Sequence, residues 1–342
     1  MSQRRLNTLL PLGMNIELTD KCPLRCPQCY CSLEGTQDIP FEIAAKYVRQ
    51  AKDFGIKHIE LSGGETLCYP HLYDLVKLIH DIGLEVNIAI SGWHFTEACL
   101  TKLVEAGLDN IFVSLNGPTE EINRLTRDGY QYAISALQLL QSKNFPNVYI
   151  NWVMHRNNAD SLPEMIQIGK KYSVRAIVIL APKPTSKHEL NTLPSFQQLE
   201  NTVRIIRDNA SGFIKVESCF SPLLAMLRDT RLLGNLNIGR DMGCGAGRNQ
   251  LSVSVNGMLS PCRHLEFFEE WDTLEEYWRN SEILKKIRGL EGHKQEPCIS
   301  CKFCNHCRHC LAINTKLTGK LFIGNDFCPL KSEYKLLTVA EQ

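Results

Sequence analysis

Between residue 13 and about residue 210 the chain switches six times from a short β-rich run to a longer run with helical periodicity. The β-rich runs are Asn15–Leu18, His58–Leu61, Glu85–Ile90, Ile111–Leu115, Val148–Val153 and Ala176–Leu180. Helical patterns fill the gaps at about Pro40–Phe54, Pro70–Ile82, Thr96–Ala106, Gln131–Ser142 and Leu162–Tyr172. Pro40 suits a first-turn position, where a missing N–H costs nothing, and Gly55, Gly83 and Gly107 sit where helices should end. Strand–helix alternation of this kind builds a parallel sheet with helices outside. Six units rather than eight predict an α/β fold, a partial (β/α)6 TIM-like barrel left open, with its site at the carboxyl ends of the strands.

After about residue 212 the pattern changes, so the chain divides into a barrel over 1–212 and a second domain over 213–342. Leu251–Val255 and Met258–Ser260 flank Asn256-Gly257, a two-residue hairpin signal. Trp271–Ile287 reads as an amphipathic helix. The stretch from Cys298 to Cys310 is too rich in cysteine for an apolar core of its own, so an inorganic element is expected to hold it together. The chain has 15 cysteines in 342 residues, and they cluster rather than spread across loops as a disulfide scaffold would. Metal or cluster ligation is the reading that fits. The 38 basic and 37 acidic side chains leave a net charge of +1, which argues for neither nucleic acid nor membrane as a partner. No apolar run approaches the roughly 20 residues that cross a bilayer. Met1–Leu12 is too short and polar for a secretory signal, so the expected location is cytoplasmic.

Three cysteines, Cys22, Cys26 and Cys29, follow directly after the first strand at C-x3-C-x2-C spacing. Three thiolates on one tight loop can take three irons of a cubane and leave the fourth without a protein ligand. A molecule chelating through an amino and a carboxylate group can occupy that iron. A zinc site with a distant fourth ligand is the alternative at this point. The motif resembles the signature of the radical S-adenosylmethionine (SAM) superfamily. That family usually has an aromatic before the third cysteine, where this chain has Gln28, followed by Tyr30 after the cysteine.

The second strand ends in Gly63-Gly64-Glu65. Paired glycines expose backbone for close approach, and the glutamate offers an acceptor. The resemblance implies contact with the methionyl amino group, although Thr66 stands where the family usually has proline. It implies further cofactor contacts from the ends of later strands: Ser91, Ser114 toward the ribose, Arg127 toward the carboxylate and Leu180 beside the adenine. An arginine suits a carboxylate because its planar fork is always charged. The likeness runs from about Met14 to Leu180, with each motif at the carboxyl end of a strand.

Cys244, Cys262, Cys298, Cys301, Cys304, Cys307, Cys310 and Cys328 make up the second cysteine region. It resembles the SPASM extension, found in radical SAM enzymes that modify ribosomally made peptides. That resemblance implies two auxiliary 4Fe–4S clusters, making three in all. By position Cys244, Cys262 and Cys310 would serve the inner cluster, and Cys298, Cys301, Cys307 and Cys328 the outer one. Cys304 is extra to the pattern, and either a fourth inner ligand or a spare thiol. Repeated C-x2-C pairs are also zinc signatures, which keeps a zinc ribbon open. Cys31, Cys68 and Cys99 read as buried apolar thiols. Cys219, just past the barrel, reads either the same way or as a hydrogen-atom donor.

The function expected from these features is hydrogen abstraction by a 5′-deoxyadenosyl radical on a ribosomally synthesised precursor peptide, giving a crosslink, backbone excision or epimerisation. The alternatives are a radical SAM enzyme acting on a small molecule such as a tetrapyrrole, and a non-catalytic zinc-stabilised interaction module. Only about twelve residues precede the first strand, which leaves no room for a fused leader-binding domain, so a separate leader-peptide-binding protein is the expected partner, or else the precursor docks directly on the enzyme. An electron donor such as flavodoxin or ferredoxin is the other.

Overall fold

A computed structural model describes residues 10–31, 35–184, 192–209, 212–228, 243–289, 294–305, 307–324 and 328–331. The first half follows the expected alternation: β1 (Gly13–Thr19), α1 (Phe41–Asp53), β2 (His58–Gly63), α2 (Leu72–Asp81), β3 (Glu85–Ile90), α3 (Glu97–Glu105) and β4 (Asn110–Ser114). It continues through α4 (Glu120–Arg124), α5 (Tyr130–Ser142), β5 (Val148–Val153), α6 (Leu162–Lys171), β6 (Ala176–Leu180) and α7 (Phe196–Asp208). Pro40 lies one position earlier than expected, at the N-cap of α1 with an extended backbone. Gly55, Gly83 and Gly107 follow α1, α2 and α3 at φ of +90°, +76° and +89°, the left-handed turn that stops each helix.

The remaining elements are β7 (Ile214–Val216), α8 (Ser221–Arg228), β8 (Gln250–Val253), β9 (Leu259–Ser260), α9 (Leu274–Asn280), α10 (Glu282–Arg288) and α11 (Leu311–Thr318). All the strands join one sheet in the order β7-β6-β5-β4-β3-β2-β1-β8-β9. β1 to β8 pair in parallel, and β9 turns back antiparallel on β8 around Gly257, whose φ is +75°. The barrel is therefore open, as expected, but the sheet is wider than six strands. Residue 212 falls inside it, because β7 extends the β6 edge and β8 extends the β1 edge. β8 lies far from β1 in sequence, so no local pattern announces their pairing.

Alternation along each strand sorts the side chains by face. In β1, Met14, Ile16 and Leu18 are buried with Ala44 and Val48 of α1 and with Ile59 and Leu61 of β2. The intervening Asn15 lies on the other face, where its amide donates to Ser62 Oγ at 2.9 Å and Ser252 Oγ donates to it at 3.3 Å. This polar inner face leads to the carboxyl ends of the strands. The C-terminal region docks on α1: Tyr47 Oη donates to the carbonyls of Gly257 (3.2 Å) and Trp271 (3.3 Å), and Leu274 N–H donates to Gln50 Oε1 at 2.9 Å.

The helix expected over Trp271–Ile287 is two short helices, α9 and α10, broken at Ser281. Ser281 takes an extended ψ of 123°, accepts from Leu284 N–H at 3.3 Å and donates to Glu269 Oε1 at 2.7 Å. A serine offering its own cap competes with helix continuation, and here the bond to Glu269 decides the competition.

Candidate functional site

The chain leaves β1 at Thr19 and passes straight into the three-cysteine loop. Asp38 pins its start, accepting from Thr19 Oγ1 at 2.7 Å and Lys21 Nζ at 2.6 Å. Asp128 receives Arg25 N–H at 2.8 Å, and Thr126 O receives Gln28 N–H at 3.2 Å. Gln28 is anchored through its side chain: Asn116 Nδ2 donates to Oε1 at 2.8 Å, and His155 Nε2 meets the same oxygen. A polar network thus occupies the position where the resembled family has an aromatic.

The paired glycines have a steric reason. Gly63 has φ of +130°, and a Cβ on it would lie 2.4 Å from the Thr19 carbonyl. A Cβ on Gly64 would lie 2.2 Å from the Lys21 carbonyl. Two backbone bonds close the contact, from Gly64 N to Thr19 O at 2.6 Å and from Glu65 N to Lys21 O at 2.8 Å. The end of β2 therefore holds the thiol loop directly.

A cavity of about 1070 Å³ opens at this end of the sheet. Cys22, Cys26, Cys29, Gly63, Gly64, Glu65, Ser91, Ser114, Arg127 and Leu180 all line it. The structure thus brings together every barrel residue that the sequence singled out. Glu65 is buried at 2% exposure, and its carboxylate accepts from Ser91 N–H at 3.0 Å, from the Ser91 hydroxyl and from Leu67 N–H at 3.4 Å. Burial pushes its pKa up, against those hydrogen bonds and the Arg127 charge. Arg127 is held by its backbone, donating from N to Asn123 O at 2.8 Å and accepting from Asn123 Nδ2 at 2.8 Å. Its Nε is buried with no hydrogen-bond partner among the described residues. A buried guanidinium nitrogen left unpaired inside a cavity suits an incoming carboxylate.

The three thiols differ. Burial raises Cys22 to about 11 and also raises Cys26. A hydrogen bond with the Cys31 thiol lowers Cys29 to about 6, overcoming burial, with Arg127 and Arg25 assisting. Cys31 is thus no inert apolar thiol: it touches Cys29, and its Sγ lies 3.6 Å from the Gly63 carbonyl. Three thiols on a loop beside an unpaired arginine and a buried glutamate fit a cubane together with a chelating amino acid. Uptake of metal there displaces thiol protons.

Several residues of the cavity wall were not found in the sequence. Lys183 and Glu217 form a 3.1 Å ion pair at 10% and 21% side-chain exposure, and Glu217 also accepts from Ala181 N–H at 3.0 Å. Burial opposes both charges, but Lys183 stays raised through Cys219 and Glu217, and Glu217 stays lowered through Lys183. Arg263 reaches back to Glu60 at 3.3 Å and lies over the Tyr30 ring, which meets His264 edge-on at 4.3 Å. Tyr30 Oη points to Glu17 Oε1 at 3.5 Å, and burial raises Glu17 to about 6. Arg263 and His264 follow Cys262 in sequence, and adjacency to a predicted ligand was the one available signal.

The C-terminal thiols fall into two groups. Cys244 and Cys310 are buried in a small apolar cluster with Leu265, Ile287 and Leu311, and Cys262 and Cys219 pack against it. Cys298, Cys307 and Cys328 lie near one another and near Cys301, and burial first, then these neighbouring thiols, pushes the pKa of Cys298, Cys307 and Cys328 up. Cys304 lies with this outer group: Lys294 Nζ is 3.7 Å from its Sγ and donates to the Cys307 carbonyl at 2.9 Å. Its neighbours make it a poor candidate for an inner ligand. A Cβ on Gly324 would lie 2.2 Å from Cys298 Sγ, so backbone closes tightly around the outer thiols.

Residues 16–168 match the family model for the radical SAM superfamily. The PqqA peptide cyclase of Bradyrhizobium diazoefficiens is 26% identical over 314 residues, spanning 86% of this chain and 79% of that protein. That of Rhizobium meliloti is 29% identical over 313 residues, spanning 86% and 80%. Among solved structures, Streptococcus suis SuiB bound to S-adenosylmethionine aligns with a TM-score of 0.75 at 16% identity, covering 95% of this chain and 79% of that one. Native anSMEcpe with bound AdoMet and Cp18Cys peptide gives 0.72 at 16% identity, covering 97% and 99%. At such identities the structural likeness carries the fold, which is the open parallel barrel found here. The thiol loop and the Gly-Gly-Glu turn lie within the span 16–168 that matches the radical SAM superfamily model, and both line one cavity.

Proposed function

We propose that the chain is a radical SAM enzyme that modifies a ribosomally synthesised precursor peptide. The observation that carries this reading is the shared cavity. Cys22, Cys26, Cys29 and the unpaired Arg127 line one side, and Lys183, Glu217 and Arg263 line the side nearer the C-terminal thiols. The relatives are peptide cyclases by name, and one structural neighbour holds a peptide beside AdoMet, which supports a peptide as substrate.

In this reading Cys22, Cys26 and Cys29 would hold a 4Fe–4S cluster, and the same cavity would take SAM. The cluster, when bound, supplies the electron that splits SAM into methionine and the 5′-deoxyadenosyl radical. The protein's part is to bind and orient. Arg127 receives the methionyl carboxylate, and Gly63, Gly64 and Glu65 offer backbone and an acceptor to the amino group. Ser91 fixes the Glu65 carboxylate, while Ser114 and Leu180 border the nucleoside. Lys183, Glu217 and Arg263 present charge where the peptide enters. The C-terminal thiols would hold two auxiliary clusters, whose chemistry would be electron transfer. A separate leader-binding protein brings the precursor, and a flavodoxin or ferredoxin supplies the electron. Cysteines kept reduced as cluster ligands suit a reducing compartment, which supports a cytoplasmic location.

The test is anaerobic reconstitution with iron, sulfide and a reductant, followed by incubation with SAM and the precursor peptide. The expected products are 5′-deoxyadenosine, methionine and a peptide of altered mass. 5′-Deoxyadenosine with an unchanged peptide would point to a small-molecule substrate such as a tetrapyrrole. Colourless protein containing zinc and no acid-labile sulfide would refute the reading outright.

A further inference from the structure

Three inner thiols, Cys244, Cys262 and Cys310, leave a cubane one ligand short. Cys219 follows β7, and with Cys262 its side chain packs against the small cluster that buries Cys244 and Cys310, near enough for the thiols of Cys219 and Cys310 to influence each other. Glu217, two residues earlier, lines the barrel cavity, whereas Cys219 does not. Cys219 lines a second cavity of about 580 Å³ together with Cys310. A thiol donating hydrogen to a radical formed over the barrel loop must reach the barrel cavity, and this one opens on the other side. Backbone bonds from Glu217 N to Ile179 O (2.9 Å) and from Phe220 N to Glu217 O (3.0 Å) fix the turn that carries it. The Lys183 ammonium is near enough to both Cys219 and Cys310 to feel their charge. It supplies positive charge where several thiolates would gather.

We propose that Cys219 is the fourth thiolate ligand of the inner auxiliary cluster, which is thereby closed by protein and presents no iron to substrate. The inference rests on the reading of the C-terminal thiols as cluster ligands. Ligation replaces the Cys219 S–H bond by an Fe–S bond and releases the proton to solvent. A cluster so closed serves electron transfer rather than substrate capture.

Thiol labelling of the full chain tests this without reference to activity. Cluster-loaded and chelator-stripped protein are treated with iodoacetamide, and each cysteine is read by peptide mass spectrometry. Cys219 is expected to label about tenfold or more slowly in the loaded chain, in step with Cys244, Cys262 and Cys310, while Cys99 labels alike in both. A second measurement uses a Cys22→Ala/Cys26→Ala/Cys29→Ala background, in which Cys219→Ala is expected to open one iron of the inner cubane, so that added imidazole shifts the EPR spectrum of the reduced protein, whereas the background with Cys219 intact is unmoved. Protection of Cys244, Cys262 and Cys310 with Cys219 freely labelled, or an EPR spectrum as insensitive to imidazole in Cys219→Ala as with Cys219 intact, overturns the fourth ligand and leaves the cluster reading standing. Free labelling of all four overturns both.

Discussion

Replacing Arg127 separates binding from folding. Its Nε is buried and has no partner among the described residues, so Arg127→Met removes no hydrogen bond made by that atom within them. The turn itself is kept by main-chain groups, since both bonds to Asn123 use the Arg127 backbone. Thermal stability should therefore hold or rise slightly, because a buried unpaired polar atom disappears. SAM binding should suffer. A charge-assisted hydrogen bond is worth about 1.5–3 kcal/mol net, which corresponds to a Kd about 10- to 150-fold weaker. Arg127→Lys keeps the charge but not the planar fork and should fall between the two. Titration calorimetry of anaerobic, cluster-loaded protein with SAM reads the effect, and a melting curve of the same sample controls for folding. Unchanged SAM affinity in Arg127→Met, with the cluster's absorbance intact, would remove Arg127 from the site.

Gly64→Ala places a Cβ 2.2 Å from the Lys21 carbonyl and should cost about 2–4 kcal/mol, read as a lower melting temperature with loss of bound iron; an unchanged melt would show that the loop yields freely. Glu17, raised to about 6, binds more protons folded than unfolded, so its contribution to stability is full below about pH 4.5 and is lost as pH rises through 6. Glu17→Gln should therefore exceed the wild type by about 2 kcal/mol above pH 7 and match it near pH 4.5, and parallel pH–melting curves would contradict this. Cys304→Ala should keep its full iron content, whereas Cys298→Ala should lose roughly four irons per chain, and the reverse result would reassign the outer ligand set.

The barrel was legible in the sequence because its signals are local. Strand and helix periods alternate, Gly55, Gly83 and Gly107 mark helix ends, and each barrel motif sits where a strand stops. In a parallel sheet those ends converge on one edge by geometry alone, so Cys22, Glu65, Ser114, Arg127 and Leu180 share a cavity once the alternation is read correctly. The break of the expected helix at Ser281 was not legible, because it depends on Glu269, twelve residues away.

The residue types and their spacing by themselves determined the fold class, the thiol loop and the barrel residues of the cavity. Only the tertiary structure decided which distant segments meet: β8 against β1, Lys183 against Glu217, Arg263 over Tyr30, and Cys219 against Cys310. Local pattern reports which face of an element is apolar, whereas pairing across 30 or more residues is settled by how the whole sheet and its burial close.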